Sequence, residues 1–386
     1  MSMDSQHDHK PPATRKTVTQ KDVAERCGVH RSTVSFVFKG DPCIPEATAA
    51  HIRQVAAEMG YDPALNAAAR RLIGQKYGRR TLNHLIALGF PDNFHCYNFW
   101  LYLFQGVLDT LAREGFGVVT TQLVDPYQLS SHDFLPVLKR GEVDGFIVQA
   151  SIVPFLKTSG VIPEMPLVAL LHKAKPSCPG VLVNEHVGAY QAMCHLLDLG
   201  HRTILHFTLP EDVEGVLWPR YRLAGVRQAL EERGLSPEHH LRLLPKPHAW
   251  QPPLRAASEL GSVENTTGED AEIRQLLADF LAAHPEVTAI QALNDADAIR
   301  IFYHLKALGI RVPEDISLIG CDDVDPLLDE NRNNILTTIH LPLREVGQEA
   351  ARLMLRVICG DAAEDETVTL QTTLAVRKTT GPARVT

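Results

Sequence analysis

The sequence predicts an α/β protein that carries a small helical head, and three observations support this. Residues 17–60 place apolar side chains at helical intervals in three short blocks, Val23/Ala24/Cys27, Val34/Val37/Phe38 and Ile52/Val55/Ala56/Met59, separated by turn residues. From Thr81 onward, short apolar runs of strand length alternate with amphipathic stretches of helix length, the pattern of parallel sheets covered on both faces. The charge is also divided: residues 1–80 hold 13 Lys and Arg against 8 Asp and Glu, whereas the remainder holds 25 against 38. A basic head on an acidic body suits a head that docks on phosphates, although a solvated surface of uneven charge is equally open at this level.

The 386 residues suggest two or three domains. With 45% apolar and 22% charged residues the composition is that of a globular chain, not a disordered, collagen-like or disulfide-knot one. No apolar run reaches the ~18 residues of a membrane span, and the polar, His-rich start lacks a signal-peptide core, so a cytoplasmic location is expected. The seven cysteines are scattered without Cys-x-x-Cys pairs, and read as buried or incidental thiols. Asp322, Asp323 and Asp325 follow a strand pattern and read as an acidic loop; no metal and no cofactor are expected. Phosphate-cradling, nucleophile-elbow and zinc-protease motifs are missing from the chain, which leaves an enzyme on a doubly wound fold without a catalytic constellation.

In the head, Thr19 followed three residues later by Asp22 is a helix-start signature. Gly28 supplies a residue tolerant of positive φ at the turn, and Ala24, Gly28 and Val34 have the spacing of a helix-turn-helix. The run from Val18 to Ser35 (VTQKDVAERCGVHRSTVS), with Gly40, Pro45-Glu-Ala-Thr48 and Met59-Gly-Tyr61, closely resembles the DNA-binding domain of the lactose-repressor (LacI/GalR) family. The resemblance implies that the second helix lies in the major groove. Arg31 and Ser32 then match base-reading positions, with Thr33 and Ser35 nearby, and Arg31 suits a bidentate contact with guanine. Thr19, Lys39 and Thr48 match backbone-contact positions. Two departures stand out: Phe36, which can only pack or meet a thymine methyl, occupies a position that is often arginine, and His30 replaces the usual serine cap. Beyond Tyr61, the Ala-rich Asp62 to Leu72 resembles the family's hinge helix, with Ala69 in close contact and Leu72 as the minor-groove wedge. A flexible basic linker is the alternative.

The body carries further matches: Leu196-Leu-Asp-Leu-Gly-His-Arg-Thr-Ile204, Arg222-Leu-Ala-Gly225, Ala292-Leu-Asn-Asp-Ala-Asp-Ala298, Leu308 to Asp323, Leu336-Thr-Thr-Ile and Pro342 to Gly347. The resemblance implies two Rossmann-like lobes of the periplasmic-binding-protein type hinged around a small effector. The expected divisions are a disordered tail at 1–16, the helix-turn-helix domain at 17–63, the hinge helix and linker at 64–82, and an effector-binding and dimerisation domain at 83–386. Within that domain the N-lobe is expected at about 83–184 and 315–341, and the C-lobe at about 185–314 and 342–380. Arg222 and Asp295 match polar effector positions and suit a hydroxyl-rich or anionic ligand. Asp295 has a second reading, as the cap of the helix that follows it. Phe99, Trp100, Trp218 and Trp250 match aromatics bordering the cleft, where flat faces stack on a sugar ring; core packing is their alternative. The expected partners are a near-palindromic operator, a sugar or sugar derivative, and a second copy of the chain.

Overall fold

The computed structural model describes residues 18–38, 43–61, 82–91, 97–123, 142–158, 165–172, 178–209, 218–245 and 268–384. The chain forms two compact units divided between Asn83 and His84. In the first unit, α1 (Gln20–Cys27), α2 (Arg31–Phe38) and α3 (Glu46–Glu58) enclose a core of Val23, Ala24, Val34, Val37, Ala49, Ile52, Ala56 and Tyr61. The helix start is the reciprocal box expected from the sequence: Asp22 N–H donates to Thr19 Oγ1 and Thr19 N–H donates to Asp22 Oδ2. Gly28 ends α1 with φ 64°, and Val29 N–H returns to the Ala24 carbonyl at 3.0 Å. This left-handed residue is what reverses the chain between the two helices.

The second unit holds two sheets of six strands each. In the first lobe, β1 (Leu85–Pro91), β2 (Gly117–Leu123), β3 (Gly145–Gln149), β4 (Leu167–Leu171), β5 (Gly180–Asn184) and β11 (Thr367–Gln371) run in the order β2-β1-β3-β4-β5-β11, all parallel. In the second, β6 (Ile204–Thr208), β7 (Leu241–Pro245), β8 (Ala289–Gln291), β9 (Ser317–Asp322), β10 (Thr337–His340) and β12 (Thr373–Ala375) run β7-β6-β8-β9-β10-β12, with only β12 antiparallel. The lobes thus repeat one topology. Their central strands are apolar on both faces because helices cover both, as β9 shows by being buried throughout.

The helices are α4 (Tyr97–Arg113), α5 (Val153–Thr158), α6 (Glu185–Asp198), α7 (Trp218–Glu232), α8 (Pro237–His240), α9 (Gly268–Ala283), α10 (Asp295–Ala307) and α11 (Leu343–Cys359). None among the described residues is long and apolar enough to cross a membrane.

The expected allotment of the C-terminal third between the lobes is corrected. Residues 315–341, assigned to the N-lobe, supply β9 and β10 of the second sheet, with Ser317 opposite Ala289. Most of 342–380, assigned to the C-lobe, returns to the first: α11 packs on α4, and β11 pairs with β5, Thr367 opposite Gly180. The chain therefore crosses between lobes three times, after Asn184, between His340 and Leu343, and between Gln371 and Thr373. A strand pattern announces a strand without naming its neighbour, which is why the sequence misplaced these segments. At the crossings, Thr372 Oγ1 donates to the Asn184 carbonyl at 2.8 Å, and Asn184 Nδ2 donates to Gln371 Oε1 at 3.1 Å.

Within the first lobe, α4 and α11 touch backbone to backbone. A Cβ on Gly106 would lie 2.0 Å from the Arg344 carbonyl oxygen, and one on Gly347 would lie 2.0 Å from that of Leu103. An ion pair, Arg344 to Asp109 at 2.6 Å, closes the same crossing from outside.

Candidate nucleic-acid interface and ligand cleft

On α2 the exposed side chains are Arg31, Ser32 and Phe36, with Thr33 and Ser35 half-buried beside them. Val34 and Val37 on the opposite side anchor the helix to the core. Phe36 is 40% exposed, so its ring is a contact surface and not part of the core. His30 caps the helix with its ring: Nδ1 accepts the Ser32 backbone N–H at 3.3 Å and lies 2.8 Å from Ser32 Oγ. With Nδ1 accepting, the Ser32 hydroxyl points its proton at the ring, which weakens Ser32 as a reader of bases. Thr19 likewise directs its hydroxyl to Asp22 at 2.6 Å, and Thr48 is half-buried on α3.

In the second unit the chemistry gathers at the carboxyl ends of the parallel strands. Trp218 and Arg222 lie four residues apart on α7 and so share a face; the guanidinium carbon sits 4.3 Å from the indole centroid. Arg222 Nε donates to Glu185 Oε2 at 2.6 Å, Nη1 donates to the Leu293 carbonyl at 2.5 Å, and Nη2 lies 3.8 Å from Asp322 Oδ1. All three ionic residues are 6% exposed. Glu185 opens α6 just after the first crossing, Leu293 follows β8, and Asp322 ends β9. The guanidinium thus spans the opening between β6 and β8, from which the chain departs in opposite directions, to β7 and to β9. Such a divergence leaves a crevice for ligands.

The first lobe reaches the same place. His172, immediately after β4, feels the charges of Glu185 and Arg222, and burial, the larger influence, holds its imidazole below the usual histidine range and therefore neutral. Across the lobes, Asn98 in the first turn of α4 donates to Asp325, in the loop after β9, at 2.5 Å. Burial also pushes the Asp322 carboxyl up, with the Arg222 charge opposing it.

Residues 19–64 match the bacterial regulatory proteins of the lacI family, and residues 193–380 match a periplasmic binding protein-like domain. The chain is 29% identical to the HTH-type transcriptional regulator DegA of Bacillus subtilis over 94% of its own length and 97% of that protein's. Among solved structures it resembles a LacI-family regulator from Enterococcus faecium with bound ribose (28% identity, TM-score 0.59, 78% of this chain and all of that one). It also resembles the lac repressor dimer bound to operator and an anti-inducer (22% identity, TM-score 0.64, 95% and 100%). The head is thus a LacI-family helix-turn-helix domain, and the body a periplasmic-binding-protein-like one.

The expected cleft residues divide. Arg222 and Trp218 come together as described. Trp100 is buried and Phe99 half-buried on α4, their rings 5.3 Å apart edge to face, immediately after Asn98 in the chain. Asp295 is corrected on the second of its expected readings. Its Oδ2 accepts from Val324 N–H at 2.8 Å and Asp325 N–H at 3.3 Å, and its Oδ1 accepts from Thr338 Oγ1 at 2.5 Å. It is 1% exposed, and burial raises its pKa to about 7 against those hydrogen bonds. With both oxygens committed to protein donors, it braces the loop that carries Asp325. The cap of α10 is Asn294, whose Oδ1 accepts Asp297 N–H at 2.7 Å. Lys39, Ala69, Leu72 and Trp250, the tail at 1–16 and nearly all of the hinge at 64–82 lie outside the described residues.

Sequence reasoning missed Glu185, His172 and Asn98, and dismissed Asp322 as a loop acid. The signal for Asp322 was present, because it is the last residue of a fully buried parallel strand. Glu185 had none, since only the fold brings it to Arg222 from 37 residues away.

One pH dependence follows from this cleft. His206, on β6 opposite Gln291 of β8, is held by burial to a pKa of about 4, below the ordinary histidine value of 6.5; its hydrogen bond to Gln291 opposes this and Arg222 adds to it. A lowered histidine pKa means that the unfolded chain takes up the proton first. The stability is complete above the unfolded value and is lost as pH falls from about 6.5 to about 4. The difference in unfolding free energy between wild type and His206→Gln is expected to shrink by about 3 kcal/mol from pH 7 to pH 4. Denaturant titrations across that range test it, and parallel pH profiles for the two proteins would refute it.

Proposed function

We propose that this protein is a homodimeric transcriptional repressor, cytoplasmic and without catalytic activity, whose hold on a near-palindromic operator is set by a carbohydrate-like effector in the interlobe cleft. The observation that carries this reading is the buried Arg222, stacked on Trp218 and ligated by Glu185 and Asp322 at the strand ends, in a chain whose head exposes Arg31, Ser32 and Phe36 on one helix. An aromatic face beside fixed polar groups suits a sugar ring, which buries its apolar face and spends its hydroxyls on the polar partners. The ribose found in the Enterococcus faecium regulator supports the same ligand class, and the operator-bound lac repressor dimer supports paired recognition helices on two half-sites. We assign Lys39 and Thr48 to phosphate contacts, Ala69 and Leu72 to the minor groove, and Phe99, Trp100 and Trp250 to the rim of the cleft.

Coupling follows from linkage. An effector that prefers one closure state of the lobes shifts the population of that state, and operator affinity changes by the same free energy. The test is selection of duplexes from a random pool at two salt concentrations, because phosphate contacts make affinity steeply salt-dependent. A near-palindrome is the expected product, and Arg31→Ala should then cost about 1–3 kcal/mol of discrimination at one base pair in each half-site. Sequence-independent binding alone would refute operator recognition by the free protein.

A further inference from the structure

We propose that the effector carries no negative charge, being a hydroxyl-rich ligand that is neutral or bears a basic nitrogen, and that Glu185 is the residue that enforces this. The inference rests on the cleft being the effector site. An arginine at such a position is the natural clamp for a carboxylate or phosphate, which it binds through its planar fork of donors. In this chain two of the fork's three nitrogens already donate to protein oxygens, and the third faces a carboxyl group. Glu185 takes Nε at 2.6 Å, the Leu293 carbonyl takes Nη1 at 2.5 Å, Asp322 stands 3.8 Å from Nη2, and the Trp218 ring lies against the guanidinium carbon at 4.3 Å.

The charge inventory agrees with the geometry. Around Arg222 the described ionisable side chains are Glu185, Asp322, His172, His206, Cys321 and, behind them, Asp295. Burial keeps both histidines neutral and pushes Cys321 up, so the thiol stays protonated. With Asp322 ionised, Arg222, Glu185 and Asp322 together are one charge negative; with Asp322 protonated they are neutral. In neither state do these described side chains leave a positive surplus for an incoming anion, and little water is available to screen the repulsion between an anion and a carboxylate only 6% exposed. A donor-bearing ligand finds the opposite situation, because Asp322 is a buried carboxyl with spare acceptor capacity. Sugar phosphates and sugar acids are excluded, and sugars and amino sugars are accepted.

Inorganic phosphate is the probe, titrated into the full-length protein and followed by calorimetry and by tryptophan fluorescence, to which Trp218 contributes beside Trp100 and Trp250. Wild type is expected to show no phosphate binding that depends on Arg222. Glu185→Gln keeps an acceptor for Nε but removes the charge, and should bind phosphate at least about tenfold tighter than wild type, a gain of about 1.4 kcal/mol or more. Wild-type phosphate binding that disappears in Arg222→Gln would overturn the proposal, and this comparison stands even if the Glu185 variant fails to fold. Equal indifference of wild type and a folded Glu185→Gln would overturn the role of Glu185. A gain in Glu185→Gln that leaves operator affinity unchanged would uphold the charge assignment while sinking the effector-cleft reading, so the two failures are distinguishable.

Discussion

Arg222→Ala is expected to abolish the response of operator binding to effector while leaving operator binding itself intact. The side chain joins the start of α6, the end of β8 and the end of β9 through Glu185, the Leu293 carbonyl and Asp322. Its loss removes the stacking partner of Trp218 and leaves Glu185 and Asp322 buried with no cation between them. Breaking a buried pair in this way costs about 3–5 kcal/mol, chiefly because the stranded charges must be desolvated alone. Part of that cost is relieved as Asp322, already pushed up by burial, takes a proton. The variant should therefore fold with reduced stability, and the head, a separate compact unit with its own core, should still present Arg31. Operator titrations with and without effector, together with denaturant unfolding, check both halves. An unchanged effector response would remove Arg222 from the site.

Gly347→Ala is expected to destabilise the body by more than about 3 kcal/mol, beyond the usual range for an overpacked core. The added methyl would lie 2.0 Å from the Leu103 carbonyl oxygen, 2.9 Å from Val107 N and 3.1 Å from Gly106 Cα. All three are backbone atoms of α4, so no rotamer change can make room, and the helices must separate. Separation breaks more than one contact, because α11 also covers β3, β4 and β5. The same displacement would move α4, whose first turn carries Asn98 and its bond to Asp325 across the lobes. A fall in Tm of at least about 6 °C is the measurable consequence. A shift within about 1 °C would mean that the helices can part without cost.

Much of the head was legible because its determinants are local. Thr19 and Asp22 cap a helix, Gly28 turns the chain, and Val34 fills the space beneath the second helix, all within a few residues of one another. Most body strands up to Gly320 were legible for a similar reason, as parallel strands buried on both faces leave continuous apolar runs, but the edge strand Leu241–Pro245, exposed at alternate positions, was not. Later elements were harder. The strand at Thr367–Gln371 alternates between exposed and half-buried positions at a sheet edge, and no apolar run marks it. The helix at Leu343–Cys359 was noticed only for its first residues, although its buried positions, from Leu343 through Val346, Gly347 and Ala350 to Ile358, fall at helical intervals. The asparagine before Asp295 bears the cap because one residue of register decides which side chain meets the free N–H groups.

By itself the sequence determined that a basic helix-turn-helix head precedes an α/β body, that Arg31 opens the second helix of that head, and that Arg222 and Trp218 are candidates for the ligand site. Each of these depends on residues close in the chain, where side-chain pattern and backbone geometry are read together. Only the tertiary structure decided which sheet takes each C-terminal strand, that the chain crosses three times between lobes, and that Glu185 neutralises Arg222 while Asp295 braces a loop. Those outcomes depend on partners up to 188 residues apart. Such contacts are selected by burial and charge pairing in the folded chain, and no local pattern records them.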